Sequence, residues 1–421
     1  MKNSSSRTNW AGNYRYQAAE PAAPRSIAEL QACVAQAERC KALGTRHSFQ
    51  GIADTNGQQI SLEHLRGMTL DPAASQVIVE GGVRYGELAA WLNTQGYALH
   101  NLASLPHISV AGACATATHG SGLHNGNLAV AVAAIEIVTF DGTIRRFARE
   151  KDREAFHGAV VSLGALGLTA RLTLDVQPSF QVAQTVYHGL PFAALKDHLL
   201  DIFGAGYSVS LFTDWREARA TQVWVKRRVD ASKQTRQNTD FFGATSMTED
   251  VHPISGHDAI HCTPQMNVPG PWHERLPHFR LEFTPSSGAE LQTEYFVPLE
   301  DAYAALCAVE KLKERIAPLL LVSEFRVVAA DHFWMSMSYE RASFALHFTW
   351  KPAWQQVQRL LPEMEAVLAP FGMRAHWGKL FLRTGEYPRQ KDFSALVREC
   401  DPKGKFQNAF LEQLGLHCDA A

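Results

Sequence analysis

The stretch ASLPHISVAGACATATHGSGLHNGN (103–127) interleaves Gly112, Gly120, Gly122 and Gly126 with Ser109, Thr116, Thr118 and Ser121. Small side chains let a ligand approach the backbone, whose N–H groups then face it, and hydroxyls add further donors. Phosphates are bound this way where no P-loop is present. No GxGxxG follows a strand, so a Rossmann dinucleotide fold is not signalled. A loop-rich hairpin with ordinary turn glycines has the same composition. The density of glycine and hydroxyl residues along the stretch favours a ligand. A second stretch, LGTRHSF (43–49), has the same character and places His47 behind Gly44, Thr45 and Arg46. A histidine in such a loop is commonly a hydrogen-bonded structural residue, and any further role depends on what the loop binds.

Outward from these loops, the first part of the chain alternates helix and strand. Ser26 reads as the N-cap of a helix carrying Ile27, Leu30, Val34 and Ala37 at helical spacing. QVIVEGG (76–82) reads as a strand, GELAAWLNTQG (86–96) as a helix closed by Gly96, and 135–147 as a hairpin turned at Asp141-Gly142. Strand character returns at 166–176, 207–213, 222–229, 280–284, 292–297, 319–328 and 343–350, with helices over 299–316 and 354–369. The run Lys226-Arg227-Arg228 reads as a solvated strand end, and residues 231–260 as a polar surface excursion. The pattern predicts an α+β chain whose second part is built on one antiparallel sheet. The tail, 376–421, is too short for a domain and is expected to pack back on the first part.

Two of these strands are charged where they should be core. In LLLVSEFRVVAA (319–330), alternation puts Val322, Glu324, Arg326 and Val328 on one face. In SFALHFTW (343–350), Ala345, His347 and Thr349 share the face opposite Phe344, Leu346, Phe348 and Trp350. Burying such groups is costly unless they are paired or functional. One isolated pair would be a surface ion pair; two strands with the same device predict a polar site. In HWGKLF (376–381), Lys379 sits between Trp377 and Phe381, which favours a lysine pointing into that site. His347, His376 and Glu324 could instead bind a metal, but no spacing matches a zinc motif.

Composition bounds the rest. The 421 residues suit two large units at about 100–200 residues per domain. Lys+Arg total 40 against 42 Asp+Glu, a balance that argues against a nucleic-acid or anionic-membrane partner. The seven cysteines form no CxxC pair, and the N-terminal residues lack an apolar targeting run. No apolar run approaches the roughly 20 residues that span a bilayer. A reduced, cytoplasmic protein, monomeric or a small homo-oligomer, is expected.

Taken together, TNWAGN (8–13), HSF (47–49), ASLPHISVAG (103–112), THGSG (118–122), SLGALG (162–167), YSVSLFTDWR (207–216), VPGPWHERLPHFR (268–280), FTPSSGAELQ (283–292), HFTW (347–350) and HWGK (376–379) resemble one family nearly end to end. It is the bacterial alditol oxidases, also called xylitol or sorbitol oxidases, of the vanillyl-alcohol oxidase superfamily. The resemblance implies one FAD and a two-subdomain FAD-binding domain over 1–179. It implies a substrate-binding cap over 180–375, with an antiparallel sheet above the flavin, and a C-terminal segment returning to the first domain. It implies a covalent bond from His47 to the flavin. Further cofactor contacts would come from Gly44, Thr45, Arg46 and Ser48, from Ser104, Ser109, Gly112 and Ala113, and from Thr116, Thr118, His119, Gly120 and Leu168. Ser104, Glu324, Arg326, Thr349 and Lys379 match the substrate site, with His347 nearby. Ala103 matches a small residue that leaves room for oxygen. The family loop often has glycine where this chain has Arg46.

The expected reaction takes a hydride from the carbon of a terminal primary hydroxyl in xylitol, sorbitol or a similar polyol, and oxygen is reduced to hydrogen peroxide. Arg326 and Lys379 would stabilise negative charge developing on the alcohol oxygen. The proton acceptor stays open between His347, Lys379 and water. The alternatives are an aldonolactone oxidase or dehydrogenase of the same superfamily, and a flavin- or sugar-binding protein without turnover.

Overall fold

The computed structural model describes residues 7–229, 240–282 and 290–416. Ser26 caps the helix Ile27–Gln36 by accepting from the Glu29 N–H, and the helix buries Leu30 and Val34. The next strand, Cys40–Leu43, pairs in parallel with Gln58–Ser61 and delivers the chain into the 44–49 loop. A five-stranded antiparallel sheet follows, in the order Met68–Asp71, Gln76–Glu80, Leu168–Asp175, Val132–Val138, Ile144–Ala148. Val77 and Val79 are buried on one face while Ile78 is exposed on the other. The helix Tyr85–Thr94 ends before Gly96, whose φ of 81° is the left-handed geometry expected of a helix-ending glycine. The hairpin turn also forms: Asp141 accepts from the Thr143 N–H, and Gly142 has a φ of 85°.

The second part is a ten-stranded sheet in which every pairing is antiparallel. Its centre runs Arg219–Val229, Ser208–Thr213, Leu320–Val328, Ser343–Trp350, Leu291–Pro298. On one face Phe325, Val327, Phe344, Leu346, Phe348 and Tyr295 pack beneath the helices Ala194–Gly204, Ala302–Glu310 and Trp354–Leu368. The other face carries the charged residues. Register aligns them in a row: Phe212 opposite Glu324, Glu324 opposite His347, and His347 opposite Glu294. All eight residues of Ser343–Trp350 are buried, so this polar face is not a solvent-facing one.

The tail returns across the first part. Phe406 joins the core around Leu30 and Val34, Lys405 donates to the Val34 carbonyl at 2.7 Å, and Asn408 donates to the carbonyls of Gly51, Ile52 and Asp54.

Three local expectations are corrected. Lys226 is 1% exposed, although its neighbour Arg228 is solvated. The reason is the loop of residues 276–278, which lies over the strand and takes up the ammonium. The expected excursion of 231–260 is a surface feature only in part. Residues 230–239 lie outside the described residues, but Asp240–Phe241 and Ala244–Ser246 add two strands, and His252, Ile254 and His257 line the rim of a large cavity. Residues 280–282 form no strand, and 283–284 lie outside the described residues.

Candidate active site

One cavity of about 690 Å³ lies between the glycine-rich loops and the polar sheet face. That volume is ordinary for a cofactor or small-ligand site.

On the loop side the walls are small. Thr45 Oγ1 accepts from the Ser109 N–H at 3.3 Å and lies 3.0 Å from His47 Nδ1, so it ties the two loops together. Arg46 has a φ of 64°, the left-handed region where glycine is at ease and other residues are strained. His47 stacks on Trp10 at 5.5 Å. Burial, reinforced by Lys379, His107 and Arg84, pushes its pKa down to about 4, so the ring is neutral with a free lone pair. A Cβ at Gly112 would stand 2.8 Å from Ser109 Oγ, and one at Gly44 3.0 Å from the same atom. Ala113, Thr116, Thr118, His119 and Ser48 also line the cavity. Gly120 and Leu168 do not. A Cβ at Gly120 would meet the Leu102 carbonyl at 2.5 Å, so its need is backbone packing. Leu168 points into the core beside Val138, and its neighbours Gly167 and Thr169 face the cavity instead.

On the sheet side the walls are charged. Arg326 donates to Glu294 Oε1 at 2.8 Å and to Ser104 Oγ at 3.3 Å, and its Nε lies 3.5 Å from Glu324 Oε1. Burial disfavours ionisation of both glutamates. For Glu294, Arg326, His119 and His347 overcome that penalty and hold the carboxyl well below the usual range. For Glu324, Arg326 and His278 do the same. Burial works against the Arg326 charge, but Glu324 and Glu294 more than restore it. Lys379 donates to Gln292 Oε1 and lies 5.2 Å over the Phe49 ring; burial lowers its pKa. His347 Nε2 lies 3.1 Å from Thr349 Oγ1. Ser104, Glu324, Arg326, His347, Thr349 and Lys379 therefore all face one space, and Ala103 lines it beside Ser104.

Three residues of this network have no role assigned from the sequence motifs. Glu294 and Gln292 sit at period two in Leu291–Pro298, the same device as Glu324 and Arg326, so that signal is legible. His278 has none, because it is brought in by a loop.

Glu294, His119 and His376 also place one potential ligand atom each within 4.8 Å of the others, whereas His347 and Glu324 do not join that trio. The Arg326 guanidinium already occupies Glu294 Oε1 and would repel a divalent cation there.

The same cavity fits a flavin dinucleotide. Its loop wall is a cradle of Gly44, Gly112, Ala113 and Gly164, which larger side chains would fill. Tyr16 Oη, Arg326 Nε and His347 Nδ1 are buried there without a hydrogen-bond partner among the described residues.

Comparison with known proteins agrees. Residues 20–148 match the FAD binding domain family, and 289–414 match the D-arabinono-1,4-lactone oxidase family. An alditol oxidase from a Streptomyces species is 48% identical over 97% of this chain and 98% of its own. The chain belongs to the alditol oxidase family. More distant relatives include an L-gulono-1,4-lactone dehydrogenase of Mycobacterium tuberculosis, 27% identical over 97% of this chain and 98% of its own. An L-gulonolactone oxidase of Bos taurus is 25% identical over 96% of this chain and 97% of its own. Cholesterol oxidase from B. sterolicum shares the fold with a TM-score of 0.76 at 13% identity, covering 97% of this chain and 96% of that one. As a member of the alditol oxidase family, the protein is an FAD-dependent oxidoreductase of the vanillyl-alcohol oxidase fold. Among the described residues no helix is long and apolar enough to cross a membrane.

Proposed function

We propose that this enzyme oxidises the terminal primary hydroxyl of an alditol such as xylitol or sorbitol to the aldose, with oxygen reduced to hydrogen peroxide. The observation that carries this reading is the charge balance of the sheet face. Arg326 and Lys379 face Glu294 and Glu324, and Arg326 is bonded to Glu294 in the chain itself. A substrate entering there needs no charge of its own. It needs many hydroxyls to exchange with donors and acceptors, which describes a polyol.

FAD, when bound, supplies the two-electron acceptor. Gly44, Thr45, Ser109, Gly112, Thr116 and Thr118 would hold its phosphates and sugar by backbone and hydroxyl contacts. Arg326 and Lys379 donate to the reacting hydroxyl oxygen and stabilise its developing negative charge. Glu324 accepts from a neighbouring hydroxyl, and Ser104 and Thr349 orient the chain of hydroxyls. His347, near Glu294 and without a hydrogen bond at Nδ1 among the described residues, is a candidate to receive the hydroxyl proton. Ala103 keeps room for oxygen.

His47 is proposed as the covalent flavin attachment, because its neutral ring retains a nucleophilic lone pair beside the cradle. Acid-precipitated protein should keep its yellow colour in the pellet, and His47→Ala should release it; full release from the parent protein would sink the idea. We also place the division into an FAD-binding domain and a cap at residues 179/180 and 375/376, and the enzyme in the cytoplasm, in keeping with the six free thiols among the described residues.

The match of 289–414 to the D-arabinono-1,4-lactone oxidase family supports a lactone substrate as the second reading. Anaerobic bleaching of the flavin by polyols against sugar lactones separates the two. Bleaching by neither class would leave only binding.

A further inference from the structure

Lys226 is as buried as any apolar residue of the sheet, and burial lowers its pKa to about 7. Its ammonium has three donors and no acceptor. Each is used: Nζ lies 2.6 Å from the Leu276 carbonyl, 2.8 Å from the Pro277 carbonyl and 3.2 Å from His278 Nδ1. The Glu324 carboxylate can only accept from Nε2, so in a neutral His278 Nδ1 is the acceptor for Lys226. The proton of a neutral His278 then sits on Nε2, which lies 2.8 Å from Glu324 Oε1. The hydrogen bonds therefore run in one direction, from Lys226 through His278 to the Glu324 carboxylate. The ring is clamped edge-on by Phe212 at 5.5 Å and Trp224 at 5.1 Å, and Phe212 is the cross-strand neighbour of Glu324. The backbone N–H of His278 donates to the Ser104 carbonyl at 3.1 Å, which joins the loop to a second residue of the same site.

We propose that Lys226 and His278 are positioning residues for substrate recognition: they fix Glu324 by its Oε1 and leave Oε2 to accept from a polyol hydroxyl. The proposal rests on the reading of Glu324 as a substrate-binding group. Burial holds the His278 pKa down to about 4, so the ring donates to Glu324 without neutralising it as an imidazolium would. Arg326 lies within 3.5 Å of the same oxygen, and an unrestrained carboxylate would swing towards it. The lysine and histidine side chains bond to Glu324, to each other and to backbone carbonyls, and it is through Glu324 that they reach the substrate.

The test is a substitution cycle read by anaerobic flavin reduction and steady-state kinetics with xylitol, with flavin content checked in each variant. Glu324→Gln and His278→Leu should each raise KM by about 10- to 100-fold while the saturating rate changes by less than about 3-fold. His278→Gln, which keeps a donor near the Nε2 position, should recover most of that loss. The double variant His278→Leu/Glu324→Gln should be no worse than Glu324→Gln alone, because residues that act through one group are not additive. If His278→Leu does not accumulate folded, Lys226→Met gives the same reading at about 3- to 30-fold.

A raised KM in Glu324→Gln with an unchanged KM in His278→Leu overturns the relay alone. So does equal damage in His278→Leu and His278→Gln, or a multiplicative double variant. An unchanged KM in Glu324→Gln overturns the reading of Glu324, and the relay with it.

Discussion

The two walls of the cavity are built by opposite means. The loop wall comes from short contiguous segments, 44–48, 109–118 and 162–164, whose side chains are mostly small or hydroxylated. The sheet wall comes from single residues spread over strands and loops far apart in the chain: Glu294, Glu324, Arg326, His347 and Lys379, with Glu324 bonded to His278 and His278 to Lys226. The first offers backbone to a ligand and needs no counter-charge. The second buries charge and survives only because each group is paired with another. Substitutions should therefore separate the two walls: the loops govern whether cofactor is held, and the sheet governs whether substrate is turned over.

Arg326→Ala should show the largest effect. Flavin reduction by xylitol should fall by about 100-fold or more, the loss typical of a donor to a developing oxyanion. Glu294 and Glu324 would also lose their shared cation, so the melting temperature should drop while bound flavin stays near stoichiometric. Stopped-flow reduction and the protein-to-flavin absorbance ratio check both. A near-normal reduction rate would make the sheet wall structural and erase the contrast.

Ala113→Leu should do the reverse. It pushes a branched side chain into the cradle, so cofactor content should fall by about 10-fold, in line with the 1–3 kcal/mol cost of overpacking. The residual yellow fraction should reduce at the parental rate. Loss of turnover at full flavin content would mean that the loop wall also shapes catalysis.

A smaller effect is expected with pH. His278 is buried and His100 half-buried, and loss of solvation lowers both to about 4, against about 6.5 in an unfolded chain. Between those values the unfolded state binds more protons, so the stability these two histidines contribute is fully present above about pH 6.5 and declines as pH falls towards 4. Glu294 and Glu324, held low by their cations, add a further loss below the ordinary carboxylate range of about 4.3. Melting temperatures from about pH 7.5 to about pH 3 should fall in that order, and His278→Gln should flatten the first part. A flat profile across pH 6.5–4.5 would contradict the burial of neutral histidines.

Much of this contrast is legible in the sequence. Glycine and hydroxyl spacing marks the loop wall, and period-two charge in Leu320–Val328 and Ser343–Trp350 marks the sheet wall, because strand alternation fixes which residues share a face. The same logic applied to Gln292 and Glu294 completes the row. Leu168 and Gly120 lie in segments that resemble the family's cofactor loops, yet a residue one step along a strand points the other way. Family resemblance transfers segments more safely than it transfers side-chain directions.

The sequence by itself determined the periodicities, the caps and turns at Ser26, Gly96 and Asp141-Gly142, and the presence of charge in strands that should be apolar. These depend on neighbours a few residues apart, whose geometry the backbone dictates. Only the tertiary structure decided that Lys226 is buried and not solvated, that His278 meets Glu324, and that Glu294 sits at the centre of three histidines and an arginine. Those contacts join residues 32 to 175 positions apart. They arise from strand register and loop placement, and the energy of a buried charge depends on which partners the whole fold brings within a hydrogen bond of it.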